Sequence, residues 1–298
     1  MFRMNFVRKN KKILLLFVLL LVLTGCTAVT GPDGKTLPEK IIYSTTTWKE
    51  MFKNESWFTA LITYPVAQLI NFLAPKTGVV LAITIATVLV NLILLPLTIK
   101  STAGTQQMQM MQPELDKIQK KYEGKDDERS RLMMSQEMSA LYKKYNVNPM
   151  TTLLGTFLTL PVFIAMYNAV IRADSVVNGT FLGVDLQLSP RAALSIGGKT
   201  LAVILVIFVI MGITQALTTL LPKWLAKNKN KKDHKIRNYD EKPQKDQTTT
   251  MTITMLIMVL FMGFTFPAGM SVYWAVNSIV NIVKTIVIQK LVVEKGTN

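Results

Sequence analysis

The chain has 298 residues, half of them hydrophobic, with a mean hydropathy of +0.31 and a formal net charge of +16. Several separate apolar runs of span length exclude a water-soluble globular domain and point to a polytopic membrane protein, in which the placement of the positive charge matters more than its sum. A single Cys and a single His exclude an internal disulfide and any metal cluster built from those two residue types.

The first segment reads as a processing signal. Arg3, Arg8, Lys9, Lys11 and Lys12 form a basic start, and Ile13–Leu23 is an apolar run too short to be a good span. Leu23-Thr24-Gly25-Cys26 follows, with small residues before the only Cys. This pattern predicts a lipoprotein signal peptide over 1–25, lipidation at Cys26, and acyl chains holding the terminus at the membrane.

Residues 26–55 are polar, with turn residues Gly31-Pro32-Asp33-Gly34, and are expected to be an external linker. The stretch 56–74 is apolar and aromatic but interrupted by Pro65. Trp57, Phe58 and Tyr64 suit the headgroup region, which predicts an outer interfacial helix.

Five spans are expected in the core, 79–292, at about 79–100, 149–171, 200–221, 248–266 and 270–291. Between the first two, residues 101–147 carry apolar lines at helical spacing. Met108, Met111, Leu115, Ile118 and Tyr122 form one; Met134, Met138, Leu141 and Tyr145 form the other. The polar stretch Glu123–Asp127 separates them, which predicts a helical hairpin. Its Met-rich lines suit either a mobile arm that contacts varied partners or two arms packed on each other. Nine Lys or Arg fall within Lys100–Lys144, and a second basic run occupies 222–247, so both loops are expected in the cytoplasm with a short tail at 293–298. Pro161 is expected to kink the second span.

Polar residues recur inside these spans. Thr84, Thr87, Asn91 and Thr98 share one helical face of the first; Thr152, Thr156 and Thr159 line the second; Gln215, Thr218 and Thr219 lie in the third. In the last, Trp274, Asn277, Asn281 and Lys284 form a stripe. At ~1.5 Å per residue, Asn91 and Asn281 lie at similar depth, which makes them expected partners. Matched stripes fit a shared polar groove; ordinary interhelical hydrogen bonds remain the alternative.

No Asp or Glu falls within any expected span, whereas proton- or sodium-coupled transport usually needs one. His234 sits in a basic loop. No nucleophile triad, HExxH or Gly-Lys-Ser/Thr phosphate loop occurs. The chain therefore reads as neither an enzyme nor an ATP-driven pump, with no cofactor and no metal.

Four segments together carry a family resemblance: Val90–Thr98 (VNLILLPLT), Asn148-Pro149 opening the second span, Phe181–Leu186 (FLGVDL) and Phe266–Trp274 (FPAGMSVYW). In order, spacing and topology they resemble the YidC/Oxa family of membrane protein insertases, of the five-span Gram-positive lipoprotein type. The resemblance implies an all-α polytopic membrane protein with five transmembrane helices around a polar groove, a cytoplasmic helical hairpin and an outer interfacial helix. It implies a plasma-membrane insertase and chaperone that acts alone or with the Sec translocon. Nascent membrane proteins are its clients, and no small-molecule substrate is expected. Trp274 and Tyr273 match the family's aromatic pair in the last span, and Gln215 matches its polar groove residue in the third. Asn91 stands where the family typically has Arg, and Thr159 where a Gln is common, so the implied groove is polar but uncharged. Membrane lipids, and the ribosome through the basic segments Lys223–Lys245, Lys290 and Lys295, are the remaining expected partners. A small-solute channel or transporter using the same groove is the competing reading, and a structural partner of the translocon is a third.

Overall fold

The computed structural model describes residues 29–31, 35–145, 147–232 and 247–290. The predicted signal peptide and Cys26 lie outside these residues, as do much of the basic loop and the C-terminal tail. Within them the chain is almost wholly helical. In order the helices are α1 (Trp48–Asn54), α2 (Tyr64–Thr77), α3 (Val79–Met110), α4 (Gln112–Tyr122), α5 (Glu128–Lys144) and α6 (Pro149–Arg172). There follow α7 (Asp174–Val177), α8 (Pro190–Ile196), α9 (Gly198–Lys232), α10 (Gln247–Thr265) and α11 (Ala268–Ile288). A π-helical turn, Thr59–Thr63, leads into α2.

Among the described residues three helices are long and apolar enough to cross a membrane: Val79–Pro96, Gly198–Asn228 and Ala268–Ile288. The other two expected spans are helices α6 and α10, of 24 and 19 residues. Apolar side chains face outward along these helices. Ile93 is 76% exposed, and on α9 Val206, Val209, Ile210, Ile213, Leu217 and Leu220 are exposed at spacings that share one face. Bare apolar faces of this extent suit contact with lipid.

The described chain forms two compact units. The first takes residues up to Thr87, Thr159–Val209 and Gly263–Tyr273; the second takes Val88–Leu158, Ile210–Met262 and the chain from Trp274 onward.

In the first unit, much of the stretch expected as a linker is packed. Ile42 is fully buried and bridges to Ala173 in parallel. The physical reason lies at the end of α6, whose last carbonyls lack intrahelical donors. Thr36 Oγ1 donates to Ile171 O at 2.7 Å, and Ile42 N donates to Arg172 O at 2.7 Å. Arg172, 2% exposed, donates from Nη2 to Glu55 at 2.8 Å and from Nε to Lys40 O at 2.7 Å, so its buried charge is matched. Asn71, also buried, donates to Ile42 O at 2.7 Å and accepts from Ser175 N at 3.0 Å. Of the aromatic residues expected at a headgroup surface, Trp57 is exposed. Phe58 is buried, and Tyr64 donates its hydroxyl to Thr46 O at 2.7 Å.

The FLGVDL segment is a two-stranded turn, β1 (Thr180–Phe181) against β2 (Val184–Asp185). Leu182 and Gly183 both hold positive φ, 53° and 78°, the backbone that a two-residue hairpin needs. Just beyond it, Leu186 O and Leu188 O accept from Gly269 N and Ala268 N at 3.0 and 2.9 Å. They satisfy two of the free N–H groups that open α11.

In the second unit, α3 runs ten residues past the expected span and ends at Met110; Met111 then caps α4, whose first turn holds Pro113. Helices α4 and α5 then form the hairpin. Asp127 caps α5 by accepting from Ser130 N at 2.8 Å. The two Met-containing lines pack on each other: Met111, Leu115, Leu141 and Val147 are buried, with Met108, Ile118, Met138 and Tyr145 against them. Polar ties join the arms, Glu137 accepting from Lys121 at 2.5 Å and from Tyr122 at 2.9 Å. Glu114 accepts from Lys144 at 3.2 Å and from the Tyr145 hydroxyl. Helix α6 remains a continuous helix through Pro161, and α9 continues through Pro222.

Candidate functional site

The threonines of the α3 stripe bond their own helix. Thr84 donates to Val80 O at 2.8 Å, Thr87 to Ile83 O at 2.7 Å, and Thr98 to Leu95 O at 3.3 Å. A hydroxyl that reaches back one turn satisfies its donor within its own helix. Thr84 and Thr87 belong to the first unit, as does Thr159, whose side chain is exposed.

Asn91 belongs to the second unit and bonds across helices. Its Nδ2 donates to Asn277 Oδ1 of α11 at 3.1 Å. The expected partner was Asn281. The structure selects the amide one turn nearer the start of α11, and Asn281 stays half-buried without a hydrogen-bond partner among the described residues. The axial offset of two helices decides such a match, and counting residues from assumed span ends does not resolve one turn.

The residue after Asn277 makes the second crossing. Ser278 Oγ donates to Gln215 Oε1 of α9 at 2.9 Å, and Ser278 O accepts from Thr218 Oγ1 at 3.0 Å. Thr218 also donates to Thr214 O at 2.9 Å, within its own helix. Consecutive residues of α11 therefore hold amides from two different helices. Trp274, one turn earlier, is buried. A third tie joins α3 and α11: Gln106 Nε2 donates to Thr285 O at 2.9 Å. Beside it Ala103, Met110, Ala226 and Ile288 form a buried apolar cluster from α3, α9 and α11.

Sequence reading found Gln215 and Asn277 but missed Ser278 and Gln106. Small hydroxyls are common in helices, and Gln106 falls beyond the expected span. The available signal for Ser278 was its place next to Asn277, where a turn of about 100° carries it to the adjacent neighbour.

Chemically the site is a set of neutral donors and acceptors. The NH2 groups of Gln215 and Asn277 are uncommitted among the described residues. Gln106 Oε1 and Gln109 Oε1 are buried acceptors with no hydrogen-bond partner there either. Groups of this kind favour water or a passing polar chain. No group of His, Cys, Asp and Glu suited to a metal occurs among the described residues.

The family model described as 60Kd inner membrane protein matches residues 72–295. Membrane protein insertase YidC 2 of Bacillus anthracis is 32% identical over 286 residues, 95% of this chain and 94% of that protein. Membrane protein insertase YidC of Oceanobacillus iheyensis is 31% identical over 286 residues, 95% of this chain and 97% of that protein. Membrane protein insertase YidC 1 of Streptococcus pyogenes serotype M6 is 30% identical over 292 residues, 97% and 89% of the two chains.

Proposed function

This chain belongs to the 60Kd inner membrane protein family and shares its membrane insertase function, and from that premise we propose that it moves polar segments of nascent membrane proteins across the bilayer along a neutral polar groove. One observation carries this mechanism: α11 presents Asn277 and Ser278 to amides of two other helices within one unit. In hydrocarbon an unsatisfied polar segment costs several kcal/mol per group, and a polar surface inside the bilayer lowers that cost.

In this reading α3, α6, α9, α10 and α11 are five spans of the cell membrane. The basic hairpin and the basic stretch 222–247 lie in the cytoplasm, in accord with the bias of Lys and Arg to that side. Helix α2 lies on the outer surface. Cys26 carries a lipid on that side as well. The insertase acts alone or beside the Sec translocon, with the basic loop and tail available to ribosomal RNA. Thr84 and Thr87 each also donate to a carbonyl of their own helix, and Thr159 is exposed.

The test is insertion by the purified full chain in lipid vesicles, read as a protease-protected fragment of a single-span client. Insertion clearly above that of empty vesicles is expected, with no flux of small solutes. Solute flux without client insertion would replace this reading with the channel.

A further inference from the structure

The connection from α7 to α9, residues 179–199, carries an apolar and basic surface that the groove does not use. Leu182 is the only residue other than glycine with positive φ among the described residues, at 53°. It stands at the tip of the β1–β2 turn and is 61% exposed. A turn of this type suits Asn or Gly at that place. A Leu there holds backbone strain and gives an apolar side chain to the surroundings. Strain kept at an exposed tip points to something that the tip meets.

Two apolar residues and two cations belong to the same surface. Leu194 and Ile196 of α8 are exposed, and α8 leads through Gly197 directly into α9. Lys199, in the first turn of α9, comes back to the tip. A Cβ at Gly183, the residue after Leu182, would lie 3.6 Å from Lys199 Nζ. Arg191, one turn before Leu194 on α8, is exposed as well. Neither cation has a hydrogen-bond or ion-pair partner among the described residues. The only carboxylate side chain from Gly179 to Lys199 is Asp185, whose Oδ1 accepts from Gln187 N at 2.7 Å.

The face that Lys199 shares on α9 says what covers this surface. At about 100° per residue, Ala202, Val206 and Val209 lie on that face, and all three are exposed. It is the bare face of a helix long and apolar enough to cross a membrane. Lys199 therefore heads an apolar stripe at the level where phosphates lie.

We propose that Leu182, Leu194 and Ile196 enter the leaflet at the start of α9, and that Lys199, with Arg191 of α8, binds the phosphate of an anionic phospholipid there. The acyl chains of that lipid follow the face from Ala202 to Val209. The proposal rests on α9 as a membrane span, which is part of the reading above, and on no property of the groove. An apolar tip alone would hold any phospholipid equally. The ammonium adds a charge-assisted hydrogen bond to phosphate, and with Arg191 it selects net negative charge.

The experiment uses the full chain in phosphatidylcholine vesicles that carry bromine-labelled phosphatidylcholine or bromine-labelled phosphatidylglycerol. Leu182→Trp adds a fluorophore at the tip, and quenching of the emission that it adds over wild type reads which lipid lies there. Quenching by both lipids is expected, with a preference for phosphatidylglycerol of roughly tenfold. Adding Lys199→Gln should lower that preference about fivefold, while Lys199→Arg keeps it. A preference near one, or one that Lys199→Gln leaves unchanged, overturns the proposal. Equal loss in Lys199→Gln and Lys199→Arg also overturns it, as a packing role. Leu182→Asn suits the turn and is expected to keep or raise the midpoint of thermal unfolding in detergent. A lowered midpoint would assign Leu182 to packing and overturn the proposal too. Val206→Trp is the control for α9 and should be quenched. If it is quenched while Leu182→Trp is not, the proposal alone falls. If neither is quenched, α9 is no span, and the proposal falls with that reading.

Discussion

Ser278 of α11 donates its hydroxyl to the Gln215 amide oxygen of α9 at 2.9 Å, while its backbone carbonyl accepts from Thr218 one turn along the same partner helix at 3.0 Å. Two bonds to one helix, with Asn277 bonded to a third helix, make this point of α11 the junction of the polar site. Replacing Ser278 by Ala removes the hydroxyl bond and keeps the carbonyl bond. The expected loss of stability is below about 1 kcal/mol, since interhelical side-chain bonds in membranes average ~0.6 kcal/mol. Client insertion should fall several-fold, because Gln215 then turns freely. Thermal unfolding in detergent and the vesicle assay, run on one preparation, check both halves.

Asn91 and Asn277 form the other crossing. Asn91→Leu and Asn277→Leu should each be tolerated by the fold and each slow insertion. Their coupling in a double-mutant cycle should be about 0.6 kcal/mol and no more than ~1.7 kcal/mol. A cycle with Asn91→Leu and Asn281→Leu should show none. Coupling to Asn281 instead would return to the pairing expected from residue counting.

Gly179 tests the first unit. A Cβ there would lie 2.1 Å from Ser175 O and 2.6 Å from Val79 Cγ2. Backbone cannot yield that much without moving the β1 start. Gly179→Ala should destabilise by about 1–3 kcal/mol, in the range of overpacked cores. The midpoint of thermal unfolding reads this, and a wild-type midpoint would count against the packing described.

Asn71 holds two backbone groups at once. Asn71→Ala strands Ser175 N, while Ile42 O keeps its bond from Asp174 N at 3.1 Å, and the stranded buried group costs about 1–3 kcal/mol. Protease cleavage near Ile42 should rise in this variant, because the segment then holds to α2 only through Tyr64 and Gln68.

The hairpin carries a pH prediction. The hydrogen bond from Lys121, then that from Tyr122, holds the Glu137 carboxyl below its ordinary 4.5, and the bond to Glu137 holds Lys121 above its ordinary 10.5. The contribution of Glu137 is thus fully present above 4.5 and is lost as pH falls through its lowered value. That of Lys121 is fully present below 10.5 and is lost as pH rises through its raised value. The tie between the arms should be flat from about pH 5 to 10 and weaken outside that window. The methyl NMR signal of Met138, packed between the arms, reports it, and Glu137→Gln should remove the acid limb.

The helices and their apolar faces were legible in the sequence because they depend on local spacing. Runs of apolar residues make helices of span length, and Met111 through Leu141 recur at the period that buries one face of a hairpin. Gln215 and Asn277 were legible for a related reason, since an amide inside an apolar run must find a partner somewhere. Which partner it finds depends on axial offset and rotation between helices distant in the chain. Tertiary packing therefore chose Asn277 over Asn281 for Asn91, turned Thr84 and Thr87 back onto their own helix, and drew Thr36 and Ile42 to the open end of α6.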